Sequence, residues 1–305
     1  MNNTVSGFGK VNVDMIFRDM PRLPNLGEEV YTDKFSLCLG GGIAATLLNV
    51  GRLGVETNIV TMLSDDMFSS FARNEFIKAG ANPVNLYTGS SIPVNLTSVI
   101  LTPGERTFVS YGMAEDGADE QTIYQSLKGS TICGMQAEYL NVYRRLHEDG
   151  TLLVLDTGYI EDMSVESMEE YLKIADYYTP NRKEALKITG CDNEKDAAKR
   201  LSAYFKDVII KLDKDGCLIY NEKGFTLVKS IDEYECADAT GAGDAFLSGF
   251  LDGLYKKADI EQCVLYGNLT GGKCVSAVGC TTAYLTENEL LNLAEKYSSQ
   301  IIRIR

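Results

Sequence analysis

The chain has 305 residues, 45% of them hydrophobic, enough to bury a large core in one α/β domain or two smaller ones, which excludes a disordered chain. Its formal charge of −14, with IIRIR at the end as the only basic cluster, argues against nucleic acid as a partner, because phosphate backbones are held by clustered Lys and Arg. Eight scattered cysteines and one histidine, His147, offer no zinc or disulfide framework; without an 18-residue apolar run or a basic-then-apolar start, no membrane span or secretion is expected, and the expected location is cytoplasmic.

In chain order, the first apolar strand leads into GKVNVD, which places Asn12 and Asp14 at a strand end. Strand ends in α/β proteins face the ligand crevice, and a carboxylate there accepts two hydroxyl hydrogen bonds, as a polyol would offer. A turn-forming Asp is the alternative. GFGKVN also hints at a dinucleotide fingerprint, although Asn12 stands where the third glycine of GxGxxG belongs. Next, LGGGIAATLLNVGRLG opens a helix-prone run with Gly40, Gly41 and Gly42, which suits either backbone approach to a ligand or close helix packing.

From TNIVTML onward, strands alternate with helices: FSSFARNEFIKAG, then TLLVLDTG with SVESMEEYLKIA, then DVIIKLD with the helix after Asp244. This alternation predicts a three-layer α/β/α fold around a mostly parallel sheet with apolar strands. Two segments break it, about 11–39 and 93–111, the second reading as a hairpin turned at Pro103-Gly104. Together they predict a small separate sheet, serving as a lid over a site or as an interface in a homodimer. No linker marks a second domain.

Further along, YYTPNRKEA sets Asn181 and Glu184 three residues apart in a helical first turn. On one face, an amide and a carboxylate could orient a hydrated Mg²⁺ near phosphates, or simply cap the helix. KLDKDGCLIY, with Lys211, Asp213 and Gly216, and GNLTGGKCVSAVGC, with Asn268, read as polar loops able to hold a nucleotide base. Between them, ADATGAGDAF crowds Gly241, Ala242 and Gly243 in front of Asp244, and Phe246, Phe250 and Leu254 then recur with helical spacing. A helix N-terminus with small residues lets an anion approach unpaired amides, with the acid beside it. The alternative is an acid that only complements the helix dipole.

Taken together, GKVNVD, GGGIAATLLNVGRLG, TPNRKEA, DATGAGDAFLSGF and GNLTGGKCVSAVGC resemble, in order and spacing, the ribokinase-type sugar kinases of the PfkB family. Met135, Gln136, Ala137 and Glu138 resemble the string whose Glu touches the sugar in ribokinases. The resemblance implies that ATP donates its γ-phosphoryl group to a hydroxyl of a small sugar or sugar-like polyol. Asp244 would accept the hydroxyl proton without a large pKa shift, while the amides of Gly241, Ala242 and Gly243 stabilise charge. It further implies a substrate site at Asn12, Asp14, Gly40, Gly41 and Glu138, a nucleotide site at Asn181, Lys211, Asp213, Gly216 and Asn268, and Mg²⁺ at Asn181 and Glu184. Asp238 and Thr240 would hold a monovalent cation such as K⁺.

Two departures stand out: Ala45 and Thr46 replace a sugar-binding Asn, and Asp213 takes a position where the family usually has glycine. A nucleoside or keto-deoxy sugar-acid kinase of the same fold is the enzymatic alternative. A catalytically silent sugar-binding paralogue is the alternative of another class.

Overall fold

The computed structural model describes residues 2–112 and 118–304. The strands are β1 (Asn2–Phe8), β2 (Asn12–Phe17), β3 (Phe35–Leu39), β4 (Thr57–Thr61), β5 (Ala81–Asn85), β6 (Asn95–Thr102), β7 (Glu105–Tyr111), β8 (Ser130–Met135), β9 (Leu152–Leu155), β10 (Tyr177–Tyr178), β11 (Val208–Lys211), β12 (Cys217–Asn221), β13 (Gly224–Val228) and β14 (Ile301–Ile304). The helices are α1 (Ile43–Arg52), α2 (Met67–Lys78), α3 (Glu120–Leu127), α4 (Leu140–Glu148), α5 (Val165–Ile174), α6 (Arg182–Thr189), α7 (Glu194–Leu201), α8 (Ala242–Tyr255), α9 (Ile260–Cys274) and α10 (Glu287–Lys296).

Six strands form a parallel sheet in the order β10-β9-β8-β1-β4-β5. Successive side chains of a strand point to opposite faces, so apolar neighbours serve two cores: Ile59 one and Val60 the other, with Ile132 and Cys133, and Val154 and Leu153, divided likewise. Helices α1, α2, α8, α9 and α10 cover the first face and α3 to α7 the second, which is the predicted three-layer arrangement. Beyond β10 the sheet continues through a parallel bridge between Asn181 and Lys211, then reverses into the antiparallel set β11-β12-β13-β14.

The two irregular segments build a separate four-stranded sheet, β3-β2-β6-β7, in which β2 runs parallel to β6 and the other pairs are antiparallel. Its buried side is small, with Ile16, Cys38 and Val99 packed against Leu101 and Val278, while β7 is exposed along its whole length.

Three local expectations need correction. Asn12 and Asp14 lie on β2, the first strand of the small sheet, not at the end of β1. The chain after β1 therefore enters a strand, whereas a dinucleotide fingerprint needs a helix there, so that reading falls. CLIY is strand β12, and Gly267 to Cys274 form the second half of α9, where loops were expected. Small residues account for the last case: Gly267 sits against the Phe246 ring, where a Cβ would come within 2.7 Å, so α9 packs closely on α8. Composition suggested a turn; helix packing made use of the same glycines.

Candidate active site

Two adjoining cavities of about 470 and 210 Å³ open at the C-terminal ends of the parallel strands and share Gly42, Ile43, Gln136 and Glu138. Their walls use the residues that follow strand ends: Gly9 after β1, Gln136 after β8 and Asp156 after β9. This is the crevice where open α/β sheets bind ligands.

The glycine run before α1 joins the two acids singled out in the sequence. A Cβ on Gly40 would lie 2.9 Å from both carboxylate oxygens of Asp14, and one on Gly41 would lie 2.7 Å from Oδ2 of Asp244. Gly42, at φ 97°, turns its amide so that it donates to the Asp244 carboxylate. The close neighbours of Gly40 and Gly41 are thus the site's own acids, a contact that neither of the two readings of these glycines had named. Asn12 holds the loop, donating from Nδ2 to the Gly41 carbonyl at 3.1 Å and accepting from Asn95 Nδ2 at 2.8 Å. Thr46, which stands in place of the expected Asn, donates to the Asp244 carbonyl at 3.2 Å and so ties α1 to α8. Glu138 lines both cavities.

Asp244 lies in the first turn of α8, whose entry is set by Gly241 at φ 81°. A side chain there would also strike Cys280, with a Cβ 2.6 Å from that residue's own Cβ, so only glycine fits the turn. The helix bonds begin with the Ala245 amide donating to Gly241 at 2.9 Å, while the Ala242 amide donates back to Ala239 at a long 3.3 Å. Burial first and the Asp156 charge second push the Asp244 carboxyl up to about 7, against the pull of the Gly42 amide and Lys211. The expectation of an unshifted acid is corrected here. Burial also raises Asp14, to about 6.

On the nucleotide side, Asn181 and Glu184 form a reciprocal cap on α6: the Asn181 amide N–H donates to Glu184 Oε2 at 2.8 Å, and the Glu184 N–H to Asn181 Oδ1 at 2.9 Å. Asn181 Nδ2 donates to the other carboxylate oxygen at 2.7 Å. Of the two readings of this pair, these bonds realise the helix cap, and the carboxylate oxygens keep lone pairs beyond it. Lys211, at the end of β11, points its ammonium toward Gly243, whose Cβ would be 3.5 Å away. Asp213 adopts φ 53°, the left-handed conformation for which glycine is the usual solution and which Asp tolerates, with its side chain exposed. Asn268 Nδ2 donates to the carbonyls of Val228 and Lys229 at 2.9 and 3.0 Å, beside Gly216, which packs against the same strand end.

Asp238 and Thr240 face a cation of the chain itself, the Arg106 guanidinium. Arg106 of β7 donates from Nη1 to Thr240 Oγ1 at 2.8 Å and to Asp238 Oδ1 at 3.3 Å, while the Gly279 amide takes Asp238 Oδ2 at 3.3 Å. Burial would raise Asp238, but the hydrogen bonds of Thr240 and Gly279 and the Arg106 charge hold it below its usual value.

Asp156 was missed in the sequence, although the signal was present: an acid directly follows the apolar strand LLVL. No helix among the described residues is long and apolar enough to cross a membrane.

A family model described as pfkB family carbohydrate kinase matches residues 3–287. A cytidine kinase of Thermococcus kodakarensis is 36% identical over 261 residues, covering 78% of this chain and 88% of that protein. A Haemophilus influenzae ribokinase is 22% identical over 97% of this chain and 99% of its own. The structure of Arabidopsis thaliana ribokinase complexed with ribose and ATP superimposes with a TM-score of 0.81 at 20% identity, covering 96% of this chain and 99% of that one.

Proposed function

The chain belongs to the pfkB family of carbohydrate kinases, and from that premise we propose that it transfers the γ-phosphoryl group of ATP to a hydroxyl of a small sugar or sugar-like polyol in the cytoplasm. The observation that carries this reading is the convergence of Asp14 and Asp244 on one glycine loop beside a cleft. Asp14 and Glu138 hold acceptor hydroxyls, and Asp244 takes the proton of the attacking one. The amides of Gly241, Ala242 and Gly243, with the Lys211 ammonium behind them, stabilise charge on the group in transit, which is most of what phosphoryl transfer demands. Lys211, Asp213, Gly216 and Asn268 serve the nucleotide. Mg²⁺, held through its waters by Asn181 and Glu184, would neutralise phosphate charge.

The cleft lining sets the carboxylates of Glu138, Asp156 and Asp244 against the ammonium of Lys10, a balance that favours an uncharged acceptor over a sugar acid. A nucleoside is the second reading, on the likeness to a cytidine kinase. A coupled ADP-release screen over pentoses, hexoses, inositols, keto-sugar acids and nucleosides tests the proposal. Turnover with an uncharged acceptor is expected; no release above the acceptor-free rate with any of them would favour a silent sugar-binding paralogue.

Replacing Asp14 by Ala removes a charged acceptor from a closed site, a loss of roughly 1.5 to 3 kcal/mol. The acceptor KM should rise about ten- to hundredfold while the ATP KM stays near its original value. Equal changes in both constants would refute the assignment.

We propose further that Arg106 supplies the positive charge at Asp238 and Thr240 for which K⁺ was expected. Exchanging K⁺ for Na⁺ at constant ionic strength should leave the rate unchanged. Arg106→Ala should open the site and make the rate respond to K⁺; a K⁺ response in the unmodified enzyme would overturn this. The small sheet is the proposed lid, and exposed Phe108, Val109 and Tyr111 on β7 favour its pairing with a second copy. A monomer in sedimentation, with no acceptor-dependent protection of this sheet in hydrogen exchange, would contradict both roles.

A further inference from the structure

Asp156 lines the cleft, but no sequence motif singles it out, and beyond its share in the charge of the lining it has no step in the proposed transfer. Its side chain is a quarter exposed, and its Oδ2 lies 3.5 Å from the Lys211 ammonium, which is 13% exposed. Lys211 emerges from β11 among three acids. Burial works to lower its pKa, yet the charges of Asp156, Glu184 and Asp244 together hold it above its ordinary value. A buried ammonium needs such partners to remain charged. Where it rests decides what it does: against Asp156 it lies beside Gly243 of the anion hole, whereas against Asp244 it would neutralise the base.

We propose that Asp156 is a positioning residue, which holds the Lys211 ammonium beside Gly243 and away from Asp244, so that the site keeps both a cation for the transferring phosphoryl group and a basic carboxylate for the acceptor hydroxyl. The inference rests on the reading of Asp244 as that base. A general base works best when it titrates near the operating pH, and the position of Asp244 at about 7 owes its second-largest contribution, after burial, to Asp156. The other groups facing Asp244 are the Gly42 amide from the start of α1 and Lys211, both of which favour the charged form. The thiols of Cys274 and Cys280 also lie within its field, and Asp14 acts on the second of these; both thiols are pushed up by burial, to about 12 for Cys274 and higher for Cys280, so neither ionises in the range concerned.

The test uses titration and needs no acceptor. An acid whose folded pKa is raised binds its proton more tightly when folded, so its contribution to stability is full at low pH. That contribution is lost as pH rises from the ordinary value of 3.8 to about 7, and is constant above. Melting temperatures of the unmodified protein and Asp244→Asn across pH 4 to 9 should therefore diverge through that window, with the variant gaining as pH rises. In an Asp156→Asn background the same divergence should level off about one pH unit lower and be smaller, because a like charge has gone and Lys211 is free to turn to Asp244. In a Lys211→Met background it should extend to higher pH.

An identical divergence with and without Asp156 would overturn the proposal, as would a Lys211→Met curve displaced downward. Should Asp156→Asn fail to fold, the Lys211→Met pair decides by the direction of its displacement. Failure of the base assignment is read separately, as retained turnover in Asp244→Asn, which the melting curves do not measure.

Discussion

Asp244→Asn should bind MgATP as well as the unmodified enzyme or slightly better, and turn over roughly 10²- to 10⁴-fold more slowly. The amide keeps the shape of the side chain but cannot accept the proton of the attacking hydroxyl, and it removes a negative charge beside the incoming phosphates. If the acid merely complemented the α8 dipole, the change would cost about 0.3 to 1 kcal/mol of stability and leave turnover nearly intact. The two cases differ in stability as well as rate. With its carboxyl held at about 7 by burial and Asp156, Asp244 is an uncomfortable anion at pH 8, so the amide should leave the melting temperature unchanged or raised there. Measuring kcat, nucleotide affinity and melting temperature on one preparation separates them. A variant that keeps more than about a tenth of its turnover would rule out the base assignment.

Gly41→Ala should come next in effect, lowering kcat by about 10²-fold although residue 41 has no side chain to contribute. Its backbone is ordinary, so no conformational strain arises; the difficulty is the methyl group, which would sit 2.7 Å from Oδ2 of Asp244. One of the two must move. A displacement of about 1 Å at a reacting group costs on this order in rate. Because the loss acts through Asp244, it should not add to that of Asp244→Asn, and the double variant should turn over no more slowly than the single one. Additive losses, or a Gly41→Ala enzyme of normal kcat, would show that the glycine serves the backbone alone.

Much of this was legible in the sequence because it is local. The helix after Asp244, the cap formed by Asn181 and Glu184, and the hairpin at Pro103-Gly104 are set by residues within a few positions of one another, through periodicity, capping and turn chemistry. The three-layer architecture followed from the alternation of apolar strands with helices. Where local composition pointed to a loop and packing used the residues otherwise, the reading failed, as at Gly267 to Cys274.

The sequence by itself determined that this chain builds an α/β sheet with an acid at a glycine-rich helix start, since each of those properties is carried by neighbouring residues. Only the tertiary structure decided what that acid is. Gly41, Asp156 and Lys211 stand about 203, 88 and 33 positions before Asp244, by subtraction of their numbers, and no periodicity relates them. Their meeting depends on how β9, β11, α8 and the loop from β3 to α1 pack. A pKa responds to burial and charges within a few ångströms, whatever the distance along the chain. For the same reason Arg106 could not be foreseen at Asp238 and Thr240: the strand that carries it is 132 and 134 residues away along the chain and meets them only through tertiary packing.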